Sequence, residues 1–267
     1  MSMSAEADTI NSAMADPAPE MPKPVNGEIE LLRGLRQTKD GKDEWHTRAV
    51  VRELTGADEE FLATKESNTD IMYIEYMNAL LQRAVESIGD IDVQAHPQVL
   101  NKLIMADRDM LFLATVRATY GTTRKIRTTC AACGTKNDVE LDLYDDFPVR
   151  KPDSDLREPI EVETSKGVVY LRLPNGEDTL EAQKLAKAND ASLNTFMLAR
   201  CSVWKNAPED FDPIEWARNL NIGDRKNLVR SLLDIEAGPK MGEVDTHCAE
   251  CGELLPILLD WVSLLLG

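Results

Sequence analysis

The sequence predicts an α+β fold. N-terminal strands and helices come first, followed by a small ribbon tied by four cysteines and split by a long inserted β-hairpin and helical lobe. Three observations carry this expectation. Two Cys-x-x-Cys-Gly turns, Cys130–Gly134 and Cys248–Gly252, stand with 114 residues between Cys133 and Cys248. Each turn is flanked by extended segments, of which Asp138–Leu143 alternates polar and apolar residues as a half-buried strand does. The interval between the turns holds a hairpin signal, turned at Ser165-Lys166-Gly167, and then several helical periods.

Taken in order, residues 1–26 carry Pro17, Pro19, Pro22 and Pro24 among Ala, Ser and Glu, with no apolar period, and read as a disordered or extended arm. Residues 27–121 form an N-terminal hairpin and helical domain. Strands at Glu28–Leu32 and Trp45–Leu54 are joined by the turn signal Lys39-Asp40-Gly41-Lys42-Asp43. A short helix opens at Thr55 with acids in its first turn, where the helix dipole favours them. Ile71, Ile74, Met77, Leu81, Val85 and Ile88 recur at spacings of three and four and predict an amphipathic helix over 70–88. His96-Pro97 begins another helical segment. Asp107 is placed to cap a helix through Tyr120 whose centre, Met110–Val116, is apolar nearly all round, the mark of a buried helix.

Residues 122–144 and 242–267 form the split ribbon, the second part ending in the apolar segment Trp261–Leu266. Residues 145–241 form the inserted lobe. It holds strands at Ile160–Glu163 and Val168–Leu173, a helix capped by Asp178, a helix over Leu193–Trp204, a short one opened by Pro213, and an amphipathic one over Asp224–Ala237. No internal repeat is visible apart from the two cysteine turns.

Composition narrows the function. The formal net charge is −17 over 267 residues, with a pI near 4.6. Neutralising nucleic-acid phosphates needs clustered Lys and Arg, so nucleic acid is not the expected partner, and an anionic membrane is no better match. The basic strand Arg124-Lys125-Ile126-Arg127 is expected to meet acidic segments of this chain or an acidic partner. The most apolar stretch, Leu254–Leu266, is about 13 residues long and holds Pro256 and Asp260, too short and interrupted to span a bilayer. No leader pattern of basic start and apolar run is visible in the first thirty residues.

Five cysteines, four of them in paired turns, fit a metal site in a reducing compartment better than a disulfide framework. Cys130, Cys133, Cys248 and Cys251 are the expected ligands of one structural Zn2+. Tight turns point both sulfurs of each pair the same way, and four protein thiolates leave the ion no open position. Common ribbons separate their turns by roughly 15–20 residues. A longer gap costs little, because each doubling of a loop adds only about 0.6 kcal/mol. His247, beside Cys248, is expected to point to the opposite face.

Cys201, at helical spacing from Leu198, reads as a buried small hydrophobe. His46, His96 and His247 form no ligand or triad spacing. Asp142, Asp145, Asp146, Asp153 and Asp155 read as a solvated acidic stretch without a calcium loop. No phosphate-binding loop, nucleophile elbow or zincin helix occurs. No catalytic residue, small-molecule substrate or enzymatic activity is expected.

The order of features resembles a known family. It runs from Val51-Arg52-Glu53-Leu54-Thr55-Gly56-Ala57-Asp58 to the apolar helix at 107–120 and the Cys-Ala-Ala-Cys-Gly turn. Leu171-Arg172-Leu173-Pro174-Asn175-Gly176-Glu177-Asp178 follows, then Thr195-Phe196-Met197-Leu198-Ala199-Arg200-Cys201, the second cysteine turn and Trp261. From about residue 45 onward this is similar to the baseplate and hub-assembly family of contractile-tailed phages, found also in phage-like contractile injection systems. The resemblance implies a non-enzymatic structural component of a tail baseplate or hub. Its partners would be other tail proteins, and its place the virion tail, with host cytoplasm during assembly. Two alternatives stay open: an assembly chaperone not retained in the mature particle, and a zinc-ribbon regulator or nucleic-acid-binding protein.

Overall fold

A computed structural model of the chain describes residues 26–66, 73–185, 189–204, 206–235, 237–240 and 243–258. Of the expected arm at 1–26, residues 1–25 lie outside them, as does the apolar segment Trp261–Leu266; Asn26 opens the first strand. The fold is mixed, with small antiparallel sheets joined by helices.

Strands β1 (Asn26–Lys39) and β2 (Lys42–Arg52) form a long hairpin. Its two-residue turn has positive φ at both centres, 52° at Asp40 and 75° at Gly41, matching the strands' twist. Helices α1 (Gly56–Glu66) and α2 (Tyr73–Ala84) follow, and β3 (Val85–Ile88) returns to pair with β2. The helix expected to run to Ile88 therefore stops at Ala84. Val85 and Ile88 keep the apolar spacing of the helix, but they are fully buried from a strand paired to β2. β4 (Ile91–Asp92) completes a sheet of order β1-β2-β3-β4.

A 3-10 turn, Pro97–Lys102, leads to α3 (Met105–Tyr120), buried as its all-round apolar centre requires. Asp107 does not cap this helix. The N-cap is Ile104, and Asp107, fully buried in the first turn, reaches across to β1. Its Oδ1 accepts from the backbone N–H of Leu32 at 2.6 Å and Arg33 at 3.2 Å, and its Oδ2 from that of Gly34 at 2.9 Å. These lie where the β1–β2 register shifts, so Asp107 takes the backbone donors that the shift frees.

The second half repeats this order. β8 (Ile160–Thr164) and β9 (Gly167–Leu171) form a hairpin, and α4 (Gly176–Lys184) and α5 (Asp190–Cys201) follow. β10 (Ser202–Val203) then pairs with β9, giving the order β10-β9-β8. A short helix with proline in its first turn, α6 (Pro213–Arg218), leads to the longer α7 (Ile222–Leu233). The chain thus holds a structural repeat well beyond the two cysteine turns, which corrects the sequence reading.

The repeat extends to single hydrogen bonds. Arg52 clamps Asp58 through Nη1 at 2.6 Å and Nη2 at 3.0 Å, and Arg172 clamps Asp178 at 2.5 and 2.9 Å. In both, the carboxylate also accepts from the backbone N–H three residues earlier, Thr55 at 2.9 Å and Asn175 at 3.0 Å. A second arginine from the following helix completes each cluster, Arg83 at 2.6 Å and Arg200 at 2.9 Å. Arg108 Nη1 donates to the Leu100 carbonyl, and Arg225 Nη1, 117 residues later, donates to that of Ala217. Asp224, the counterpart of Asp107, accepts from the N–H and hydroxyl of Ser165 in its own hairpin turn. Asp178 is accordingly not the cap expected of it. Asn175 is the N-cap, and Asp178 returns the capping-box bond from the third helical position while buried beneath both arginines.

Burial alone would raise the pKa values of Asp58 and Asp178. The paired arginines and backbone donors outweigh it and hold both carboxyls below the usual range. Both groups therefore bind fewer protons folded than unfolded. Their stabilisation is complete above the unfolded value near ~3.9 and is lost as pH falls toward the folded values. The expected result is a urea midpoint that drops more steeply between pH 5 and pH 3 (about the unfolded carboxyl range) for the wild type than for an Asp58→Asn, Asp178→Asn double variant. Parallel curves would refute the assignment.

Each half has its own core. The larger lies between the four-stranded sheet and α1–α3, with Leu31, Leu80, Phe112 and Val116 inside it. The smaller joins Val162, Leu171, Leu198, Ala217 and Leu228. The halves meet where the Gly176 N–H bonds the Leu103 carbonyl at 3.1 Å, and where β7 (Val149–Arg150) pairs with β11 (Gly238–Pro239) over α3.

Candidate metal centre

Each half ends in a hairpin carrying a cysteine turn. β5 (Thr123–Thr129) and β6 (Lys136–Asp142) flank the first, and β12 (Glu243–His247) and β13 (Leu254–Leu258) the second. The two turns are closed by the same bonds. The Cys130 N–H bonds the Thr135 carbonyl at 2.9 Å and that of Cys248 the Glu253 carbonyl at 2.8 Å. The Gly134 and Gly252 N–H groups return to the carbonyls of Cys130 and Cys248, each at 2.9 Å. Those glycines have φ of 76° and 72°, a left-handed conformation that a side chain would strain.

The turns face each other across the halves. Cys130 Sγ lies 3.7 Å from Cys251 Sγ, and Cys133 Sγ lies 3.7 Å from Cys248 Sγ. The inner cysteine of each turn, Cys130 and Cys248, is buried, and the outer one is exposed. All four sulfurs lie within 4.8 Å of one another, a set able to hold a metal ion. A tetrahedron of thiolates at about 2.3 Å from zinc has sulfur–sulfur edges of about 3.8 Å, so the two short edges already match. The equal cross-pairs are what two equivalent turns meeting about a local two-fold produce.

The electrostatics fit a cation. Backbone N–H groups of Cys251 and Glu250 draw the Cys248 thiol down to about 6, while neighbouring sulfurs overcome the Glu253 backbone donor and leave Cys251 at about 12. Four adjacent thiols cannot all ionise without positive charge among them, and a bound metal supplies it. Asn137, unmarked in the sequence reading, completes the surroundings. Its Nδ2 donates to Cys248 Sγ at 3.6 Å, and its Oδ1 accepts from the Ala249 N–H at 3.0 Å. Asparagine on a strand carries no local signal of this, and the matching position in the second hairpin is Leu255.

The remaining candidates fall apart. Cys201 is buried at the end of α5, and burial pushes its thiol up to about 12, the opposite of a nucleophile. His247 is exposed, and among the described residues only the four cysteines form a converging set of potential ligands. Asp142 and Asp146 cap turns of their own loop. The basic strand is met from its own hairpin, Lys125 by Glu140 at 3.5 Å and Arg127 by Asp138 at 2.6 Å. Among the described residues no helix is long and apolar enough to cross a membrane.

No curated protein and no solved structure matches the chain. A family model does: the family described as T4 bacteriophage base plate protein matches residues 38–253, which take in both halves and all four cysteines. With this match over most of its length, the chain belongs to the T4 bacteriophage base plate protein family.

Proposed function

We propose that the chain is a non-enzymatic structural component of a phage tail baseplate or its hub, held together by one structural zinc. Cys130, Cys133, Cys248 and Cys251 would bind the ion as thiolates and complete its coordination, leaving no position for water or substrate. The two turns then form one zinc ribbon, split between the ends of the two halves. On this reading residues 145–241, together with the second turn, are a counterpart of the N-terminal half, and the inserted lobe of the sequence reading becomes the body of a second unit. The observation that carries the proposal is the meeting of two cysteine turns from the ends of the two halves of a chain whose family is that of a baseplate protein. A clasp of this kind fixes two rigid units relative to each other, which suits a part that must hold its neighbours at set positions.

The partners are other tail proteins, and the place is the virion tail. The test joins two measurements. Elemental analysis of chain prepared without chelator should find one zinc per chain, and quantitative mass spectrometry of purified tails should find the chain at fixed stoichiometry. Absence from mature particles would transfer the function to an assembly chaperone, and absence of metal would remove the clasp.

A further inference from the structure

The two halves differ at one matching surface. In the first, the outer face of α3 is covered by the chain itself. The β7–β11 pair lies on it, and Gly238 sits so close to the first turn that an added Cβ would meet Ala106 Cβ at 3.0 Å and its Cα at 3.1 Å. Further along this helix Phe112, Leu113 and Val116 are buried in the first core, at 0–1% exposure.

In the second half, no described residue covers the start of α7 in the same way. Gly223 takes the position of Ala106, and an added Cβ there would meet only its neighbour Asn221 within 4 Å. Val229, Arg230 and Leu233 take the positions of Phe112, Leu113 and Val116; Val229 still packs partly against the second core, while Leu233 is 74% exposed. Ile222, at the start of the helix, is 72% exposed. These residues line a groove of about 870 Å³ between α7 and the start of α5. Its floor is apolar, its rim carries Lys226 and Arg230, and Asp234 stands at its far end.

We propose that this face of α7 is the docking site for an extended, acidic and apolar segment of another baseplate protein. The first half supplies the pattern for the occupant: a stretch of strand that crosses the helix's first turn with a small residue, here over Gly223. Apolar side chains of that segment would rest on Ile222, Val229 and Leu233, and its acids would face Lys226 and Arg230. A basic rim on a chain of net charge −17 is a local inversion of sign, which steers acidic partners to that spot. Bringing up a second copy of the same chain would set two large negative charges together, which favours a different protein. The inference rests on the baseplate role proposed above and names the surface through which that role is exercised.

Leu233→Asp and Arg230→Glu variants test it, with Val168→Asp, at another half-exposed apolar position, as control. All three change surface positions, so melting temperatures should stay within about 2 °C of wild type. Incorporation into tail particles, measured in competition with the wild-type chain, should fall about tenfold for the two groove variants and stay unchanged for the control. A photo-crosslinking residue at position 233 in particles should join a segment of another tail protein that carries acids within a few residues of the linked site. Groove variants that incorporate like wild type overturn the inference and leave the baseplate role standing. A cross-link that lands on a second copy, or on residues 259–267 of the same chain, also overturns it. A wild-type chain missing from the particles removes the baseplate role, and the docking site with it.

Discussion

Replacing Cys248 with Ser is expected to reduce bound zinc from one per chain to none and to lower the melting temperature by more than about 10 °C. The size follows from what the site joins. Cys130 and Cys133 end one half, Cys248 and Cys251 end the other, and their sulfurs meet at 3.7 Å. Structural zinc supplies roughly 10–16 kcal/mol of apparent binding energy in small zinc-tied domains, and on the proposed reading that energy would close a loop of over a hundred residues. The loss should be uneven. The N-terminal sheet and α1–α3 have a large core of their own, so their amides should stay protected from hydrogen exchange. The tips of the β5–β6 and β12–β13 hairpins pack around Cys130, Cys248 and Leu255, so protection there should collapse, while the hairpin bodies, where Leu141, Ile126, Val139 and Val244 rest on the first core, should keep more of it. Cys201→Ser is the control: Cys201 is remote from the metal, so its variant keeps the zinc. An unchanged melting temperature together with lost zinc would show that the metal binds but does not clasp.

Asp178→Ala is expected to destabilise the second half by about 3 kcal/mol. The carboxylate is fully buried and meets two arginines and a backbone N–H, all of which would lose their partner. Complete burial of both ions would place the cost at the upper end of roughly 3–5 kcal/mol, but Arg172 and Arg200 each keep about a third of their side chain in water, which softens it. Asp58→Ala removes the matching cluster from the first half, where a larger core holds the same helices, so local opening there should be smaller. Two-step urea unfolding in Asp178→Ala, with the second half melting first, would mark the halves as separate cooperative units. A loss below about 1 kcal/mol would show that the cluster fixes geometry without adding stability.

The local features were legible in the sequence because their causes are local. Asp40-Gly41 sets a tight hairpin turn, Pro213 opens a helix, and Gly134 and Gly252 permit the cysteine turns. The alternation of Asp138–Leu143 appears as β6, offset by one or two residues at each end. Errors arose where a residue answers to something distant. Asp107 and Asp178 look like caps because an acid at a helix start is usually one, yet Asp107 spends its oxygens on β1, and Asp178, at the third helical position, keeps one capping-box bond while binding Arg172 and Arg200. Val85 and Ile88, three residues apart, fit a helical period and not a regular strand alternation; only pairing with β2, with a register shift between Ser87 and Val85, buries both from a strand. The repeat stayed hidden because it is preserved in a few bonded residues, Arg52 and Arg172, Gly56 and Gly176, Asp58 and Asp178, Arg108 and Arg225, while the apolar residues between them changed freely.

The sequence by itself determined most element types, the two cysteine turns and the acidic balance, since these depend on neighbours in the chain. Tertiary structure alone decided three things. It brought two cysteine turns together across more than a hundred residues, buried the aspartates beneath their arginines, and covered α3 while leaving Ile222 and Leu233 of α7 exposed. The physical reason is the same in each case: packing is set by which surfaces find each other in space, and spacing along the chain does not record that.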